Sequence, residues 1–248
     1  MHRSKVSLPM WFYAAYLVST ITPGISATQL QRQLGLSSYQ TTYMMLQKLR
    51  AGMVREDRDK LGGVVQVDET YVGGKKPGLR GRAALGKAIV AGAAEIRGKG
   101  IARIRLRVIP NASSPTLTKF VKDNVISRAT IVTDDWTGYM GLPKAGYRHI
   151  VDDSALVNIH RVFSNLKTWL RGTHHGVSRQ HLQAYLNEYT FRFNRRGTPM
   201  AAFQTALGLG SQRLGPTYKG LYGVAKGKGK WTHPNPSPLG KLLSKLWE

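Results

Sequence analysis

The chain has 248 residues, 42% of them apolar, enough for one full-sized folded domain and a smaller one. Lysine and arginine number 37 against 13 acids, a net charge of +24, which argues against an ordinary small-molecule enzyme and for a polyanionic partner. Cysteine is absent, so disulfides, thiolate zinc sites and cysteine nucleophiles are excluded, and any metal must be held by carboxylate, imidazole or amide groups.

The N-terminal MHRSKVSLPMWFYAAYLVST puts basic residues before an apolar run, as a signal peptide does. Pro9 and the rings of Trp11, Tyr13 and Tyr16 interrupt that run, and it is too short to span a bilayer. It reads as a buried helix, with no membrane partner. Three helices are expected over residues 8–54. The first begins at Pro9, the second is ATQLQRQLG with Ser26 as its cap, and the third is YQTTYMMLQKLRAGM, capped by Ser37 or Ser38. The short link at Gly35 fits a helix-turn-helix, although a plain helical hairpin has the same periodicity. As a helix-turn-helix over residues 1–56, it would carry Ser38, Gln40, Thr41 and Tyr43 to base edges and Lys48 and Arg50 to phosphates.

After the charged REDRDK the pattern turns to strands. GGVVQVDETYVGG is β-branched between glycine pairs; a loop with Lys75, Lys76, Arg80 and Arg82 follows, read as a phosphate contact. KAIVAGAAEIR, a GKG turn and the alternating IARIRLRVIP complete a three-strand meander. Next come a helix in SSPTLTKFVKDNVI, a short strand ending in TDDW, a strand at YRHIV, and the acid-free basic helix VNIHRVFSNLKTWLRG. A last helix lies in SRQHLQAYLNEYTFRFNRR. By analogy this order implies an α/β, ribonuclease H-like domain over residues 57–208, with a basic Gly/Pro-rich tail over 209–248.

With so few acids, Asp68-Glu69 and Asp134-Asp135 stand out, because strands select against aspartate. If the two strands are neighbours, Asp68 and Asp134 meet at one sheet edge. Paired carboxylates in a phosphate-gripping protein point to Mg2+ or Mn2+, hard cations that take oxygen ligands and serve phosphodiester chemistry.

VDETYVGGK, IVTDDWTGY with GYRHIV, and FSNLKTWLRGTHHGVSRQHLQAYLNEYTFRFNRR closely resemble the DDE-type insertion-sequence transposases, over about residues 5–207. The similarity is to a branch with a retroviral-integrase-like catalytic domain and a third catalytic position that is Glu in some members and Asn in others. The resemblance implies metal-dependent cleavage at transposon ends and strand transfer into target DNA. It also implies double-stranded DNA partners (terminal inverted repeats and target), a homo-oligomer on DNA, and a bacterial cytoplasmic, nucleoid-associated setting. The alternative is an inactive DNA-binding regulator or decayed copy. Family members of this branch usually carry a Cys-rich zinc ribbon before the helix-turn-helix, whereas this sequence opens almost at that helix, which would bear on end recognition.

Carried over by motif, Asp68 and Asp134 are the first two metal-binding carboxylates. At the third position, members reading Glu-x-x-x-x-x-x-Lys align with His160 and Lys167, whereas Asn-type members align with Asn165. At about 100° per residue, Val162, Phe163, Leu166, Trp169 and Leu170 form an apolar stripe, with His160, Ser164, Lys167 and Arg171 opposite and Asn165 at the stripe's other border. Asn165 is the preferred third ligand, on the local FSNLK match and its amide oxygen; His160 and Glu188 are the alternatives. Glu188 has Arg192 four residues on, the spacing of a helix salt bridge. Lys167, Arg171, His174 and His175 are expected to face DNA.

Overall fold

The computed structural model describes residues 4–55, 57–73, 87–211 and 216–217. They fall into two compact units: residues 57–194, and the N-terminal helices together with the segment after residue 194. Among the described residues no helix is long and apolar enough to cross a membrane.

In the helical unit, α1 (Leu8–Thr20) is followed by α2 (Ala27–Leu34) and α3 (Tyr39–Gly52). Ser26 opens α2 through a reciprocal box: its Oγ accepts the Gln29 N–H at 3.2 Å and Gln29 Oε1 accepts the Ser26 N–H at 3.0 Å. Gly35 ends the helix at φ +63°, a left-handed conformation that glycine adopts without strain. The chain re-enters helix at Ser38, whose Oγ accepts the Thr41 N–H at 3.3 Å. A link this short holds α2 against α3 as the sequence implies.

The catalytic region was expected to run to residue 208, but α7 (Pro199–Ser211) packs instead on α1 and α3. Its buried Ala202 and Ala206 face those helices, and the Phe203 ring meets Tyr16 edge-on with centroids 5.7 Å apart. The expected tail past residue 217 and the loop bearing Lys75, Lys76, Arg80 and Arg82 lie outside the described residues.

The second unit is built on one five-stranded sheet. Its strands are β1 (Val64–Val72), β2 (Ala88–Arg97), β3 (Gly100–Ile109), β4 (Thr130–Thr133) and β5 (Arg148–Val151), in the order β3-β2-β1-β4-β5. β3-β2-β1 is an antiparallel meander, whereas β1-β4-β5 runs parallel. Gly98, at φ +58°, lets two residues turn β2 into β3. α4 (Ser114–Asn124) buries Leu117, Phe120 and Val121 against Val65, Val67 and Ile131 on one face. On the other, α5 (Val157–Gly172) and α6 (Leu182–Asn194) pack on Val90, Ile104, Leu106 and Val132. Antiparallel meander, crossover helix, parallel pair and covering helices make this a mixed α/β sheet of ribonuclease H-like type, as the element order implies.

The outer edge of β3 is covered by side chains of α6. Asn194 Oδ1 accepts the Ile104 N–H at 2.8 Å and its amide donates to the Ile104 carbonyl at 3.2 Å, while Gln183 Oε1 accepts the Val108 N–H at 2.9 Å. An edge sealed this way cannot template pairing with another chain. Asn194→Ala strips the Ile104 N–H of its partner, while Arg105 Nη1 still donates to the Ile104 carbonyl at 3.0 Å, so urea unfolding should show a loss of about 1–3 kcal/mol together with faster Ile104 amide exchange. Unchanged stability and exchange would show that water replaces Asn194 at no cost.

Candidate active site

Two features place the acidic pair. β1 and β4 pair in parallel with Gln66 opposite Val132, so Asp68 and Asp134 each lie two residues beyond that match. Because side chains alternate, both then point to the face covered by α5, from neighbouring strands about 4.8 Å apart. Asp68 is buried; its Oδ1 accepts the Glu69 N–H at 2.7 Å, and its Oδ2 lies 3.1 Å from His160 Nε2. Asp134 caps its own turn, Oδ1 accepting the Trp136 N–H at 3.2 Å. Its backbone carbonyl accepts the Thr133 hydroxyl at 2.6 Å, and that hydroxyl also lies 2.8 Å from His149 Nε2. Asp135 points to solvent.

Burial raises the Asp68 carboxyl to about 6; the negative charges of Glu69 and Asp134 add to the rise, while the Glu69 N–H and His160 oppose it. Glu69, on the opposite face of β1, accepts the buried Tyr139 hydroxyl at 2.7 Å, which ties the end of β1 to the turn after β4. Tyr139 is held well above the usual phenol range by burial and by Glu69.

α5 brings its cations over this pair. Its apolar stripe, Ile159, Val162, Phe163, Leu166, Trp169 and Leu170, is buried as the sequence implies, each large side chain contributing about 1.5–3 kcal/mol. The opposite side carries His160, Ser164, Lys167 and Arg171. Partial burial lowers the pKa of Lys167, a shift that Asp68 opposes and Lys87 reinforces. His160, whose side chain is 51% exposed, is therefore the α5 group against Asp68. Asn165, the preferred third ligand from the sequence, is exposed and lies about 140° around the helix from His160, so the two do not share one side of α5. Glu188 is no reserve ligand, being fully buried on α6 with Arg192 Nη1 3.6 Å from its carboxylate.

The expected DNA contacts divide. Gln40 is exposed and Thr41 half-buried in the first turn of α3, and the Lys48 ammonium lies 5.9 Å from the centre of the Trp11 ring. Arg50 is corrected: it has no exposed surface, because with Thr42 and Leu46 it forms the buried i, i+4, i+8 row of α3. Arg171 and His175 are exposed, His175 in a left-handed turn at φ +54°. His174 is also corrected: its ring is wedged edge-on between Trp169 and Tyr185, with centroids 4.5 and 4.8 Å away. Sequence reasoning missed Gln66 and the Glu69–Tyr139 pair. The signal for Gln66 was its place two residues before Asp68 on a period-2 strand, among Gln66, Asp68 and Thr70.

No group of three His, Cys, Asp or Glu placed to hold a metal occurs among the described residues. The donor set nonetheless fits a hard divalent cation. Mg2+ retains water and needs only one or two carboxylates, and the cost of ionising Asp68, set first by burial and then by the neighbouring negative charges, is one that a cation relieves.

The site thus sets two aspartates at the ends of the neighbouring parallel strands β1 and β4 beside a basic helix, on a sheet of ribonuclease H-like type. The sequence model of the ISXO2-like transposase domain matches residues 60–194, more than half of the chain, and the chain belongs to that family of transposases. A comparison with curated proteins finds no match. Among solved structures the chain is distantly similar to one from the simian T-cell lymphotropic virus intasome in complex with the PP2A regulatory subunit B56 gamma. That pair shares 10% identity at TM-score 0.36, over 73% of this chain and 65% of the other. It is similar also to the Mos1 strand transfer complex (10%, 0.33, 74% and 73%) and the Mos1 mariner paired end complex with Mn (12%, 0.33, 74% and 74%).

The raised Asp68 pKa makes a stability prediction. Between about pH 4 and 6 the folded chain binds the proton that the unfolded chain has lost, so metal-free stability falls as pH rises through that window. Asp68→Asn should stabilise the metal-free protein at pH 7 by on the order of 2–3 kcal/mol, a gain that fades toward pH 4 in chemical unfolding. A gain that does not vary with pH would mean that Asp68 is not the group responsible.

Proposed function

We propose that this transposase cleaves the terminal inverted repeats of its element and joins them to target DNA, with Asp68 and Asp134 holding Mg2+ or Mn2+. The observation that carries this reading is the β1–β4 register, which turns both aspartates toward α5, together with His160 at 3.1 Å from Asp68. Bound there, the cation supplies Lewis-acid stabilisation of charge on the scissile phosphate. His160 holds the outer oxygen of Asp68 and fixes the direction in which the carboxylate presents itself. Lys167 and Arg171, about two and three turns further along the same face, meet the phosphates on either side of the cut and oppose the charge that builds up in the transition state. In the helical unit, Gln40 and Thr41 on α3 read base edges, with Lys48 as a backbone contact. The working form is a homo-oligomer on DNA in the bacterial cytoplasm.

The test is a divalent-dependent cleavage and strand-transfer assay on the repeats of the chain's own element. Asp68→Asn and Asp134→Asn should bind the repeats and cut neither strand. His160→Ala should slow cleavage about 10–100-fold, the usual effect of losing the partner of a metal-holding carboxylate, and Asn165→Ala should leave the rate unchanged. Binding without cleavage by the wild type would make the chain a DNA-binding regulator. A large loss in Asn165→Ala with none in His160→Ala would return the third position to Asn165.

A further inference from the structure

The polar residues of β1 are not all accounted for by the two aspartates. Gln66 is buried, two residues before Asp68 and on the same strand face. Its amide nitrogen donates to the Ala155 carbonyl at 2.6 Å, and its Oε1 accepts the Ile159 N–H at 3.0 Å. Ala155 and Ile159 are four residues apart, the separation of one α-helical hydrogen bond, so a single side chain grips both ends of that pair. Helices begin with unsatisfied N–H groups that a side chain at the N-cap usually meets. The N-cap of α5 is Leu156, which has no side chain able to do so, and Ile159 is the third helical residue, where a capping oxygen ordinarily binds. Gln66 therefore caps α5 from another strand.

A second feature of the sheet sets how close the helix comes. Gly92 on β2 lies opposite Asp68 in the register. A Cβ there would stand 2.6 Å from Phe163 Cε1 and 3.1 Å from Ile159 Cδ1, so any larger residue must displace the buried Phe163 ring and crowd Ile159 where α5 meets the sheet. Gly92 sets the depth of the helix, while the two Gln66 bonds set its rotation and its position along the axis. His160 follows Ile159 directly, so these settings decide whether its ring reaches Asp68.

We propose that Gln66 is a positioning residue for the catalytic centre: capping α5 across the sheet, it fixes the rotation that brings His160, and not Asn165, against Asp68. The proposal rests on the reading of Asp68, Asp134 and His160 as the cleavage site. It gives the buried amide a role in the reaction, through another residue, that burial alone does not supply.

Amide hydrogen exchange on the wild-type chain supplies the first measurement. Ile159 should exchange as slowly as Leu166 in the middle of α5, although the third amide of a helix is ordinarily open to water. Gln66→Met, which keeps the length and removes the amide, should speed Ile159 exchange by about 10-fold or more while cooperative unfolding is retained. Cleavage by this variant should fall by roughly 10–100-fold, as misplacement of a site by about 1 Å does. In a His160→Ala background Gln66→Met should cost no more than about 2-fold, because the group it positions is already gone. Gly92→Ala, which leaves the Gln66 amide intact, should show the same dependence on His160. Fast exchange at Ile159 in the wild type overturns the proposal, as does wild-type cleavage by Gln66→Met or a full, multiplying loss in the double variant. The wild-type exchange result stands even if the chain cuts no DNA, so failure here and failure of the proposed function are distinguishable.

Discussion

In a parallel strand pair, register decides which side chains share a face, and one step of slip would send Asp134 to the α4 side while Asp68 stayed under α5. The match of Gln66 with Val132 prevents that, and everything functional in the second unit depends on it. It is enforced from both faces. Val65, Val67 and Ile131 are buried beneath α4, while Val132 is buried beneath α5 and α6. The Tyr139–Glu69 bond ties the turn after β4 back to β1 immediately beside Asp68. A slipped register would expose apolar side chains and break that buried bond.

The electrostatics of the site follow from this placement. Burial makes ionisation of Asp68 hard, and the carboxylates of Glu69 and Asp134 at the same end of the sheet make it harder still. Two compensations are available. Lys167 brings positive charge from α5, and the His160 ring stands 3.1 Å from the Asp68 carboxylate. A hard divalent cation would bring more, and would add the field needed to stabilise a developing phosphorane-like charge. Because α5 buries an apolar stripe on the sheet and carries His160, Lys167 and Arg171 but no acid on its polar side, the acid-free helix and the acidic strand ends form one complementary arrangement. The +24 charge of the chain extends that arrangement toward a polyanion.

Periodicity made most of the fold legible. The antiparallel meander, the short acid-ended strand, the capped helices and the stripe of α5 all come from apolar spacing that packing then satisfies. Asp68 and Asp134 were readable because aspartates in apolar strands need a reason, and Glu188 because Arg192 sits one helical turn away. The choice between His160 and Asn165 was not readable. It turns on the absolute rotation of α5, which is set by bonds to a strand 93 residues away in sequence. Arg50 and His174 misled for a related reason: a basic or polar residue type suggests the surface, yet one completes the buried row of α3 and the other fills an aromatic gap. α7 follows α6 directly in the chain but finds its partner surface on α1, which local pattern cannot reveal.

The central claim is that Asp68 and Asp134 form one cation site, and direct metal binding tests it without any DNA chemistry. Isothermal titration of Mn2+ into the full chain should show a binding event that disappears in Asp68→Asn and, separately, in Asp134→Asn, while Asn165→Ala retains it. Binding that survives intact in either aspartate variant would contradict the account, because two carboxylates that share one ion cannot lose a member without weakening it.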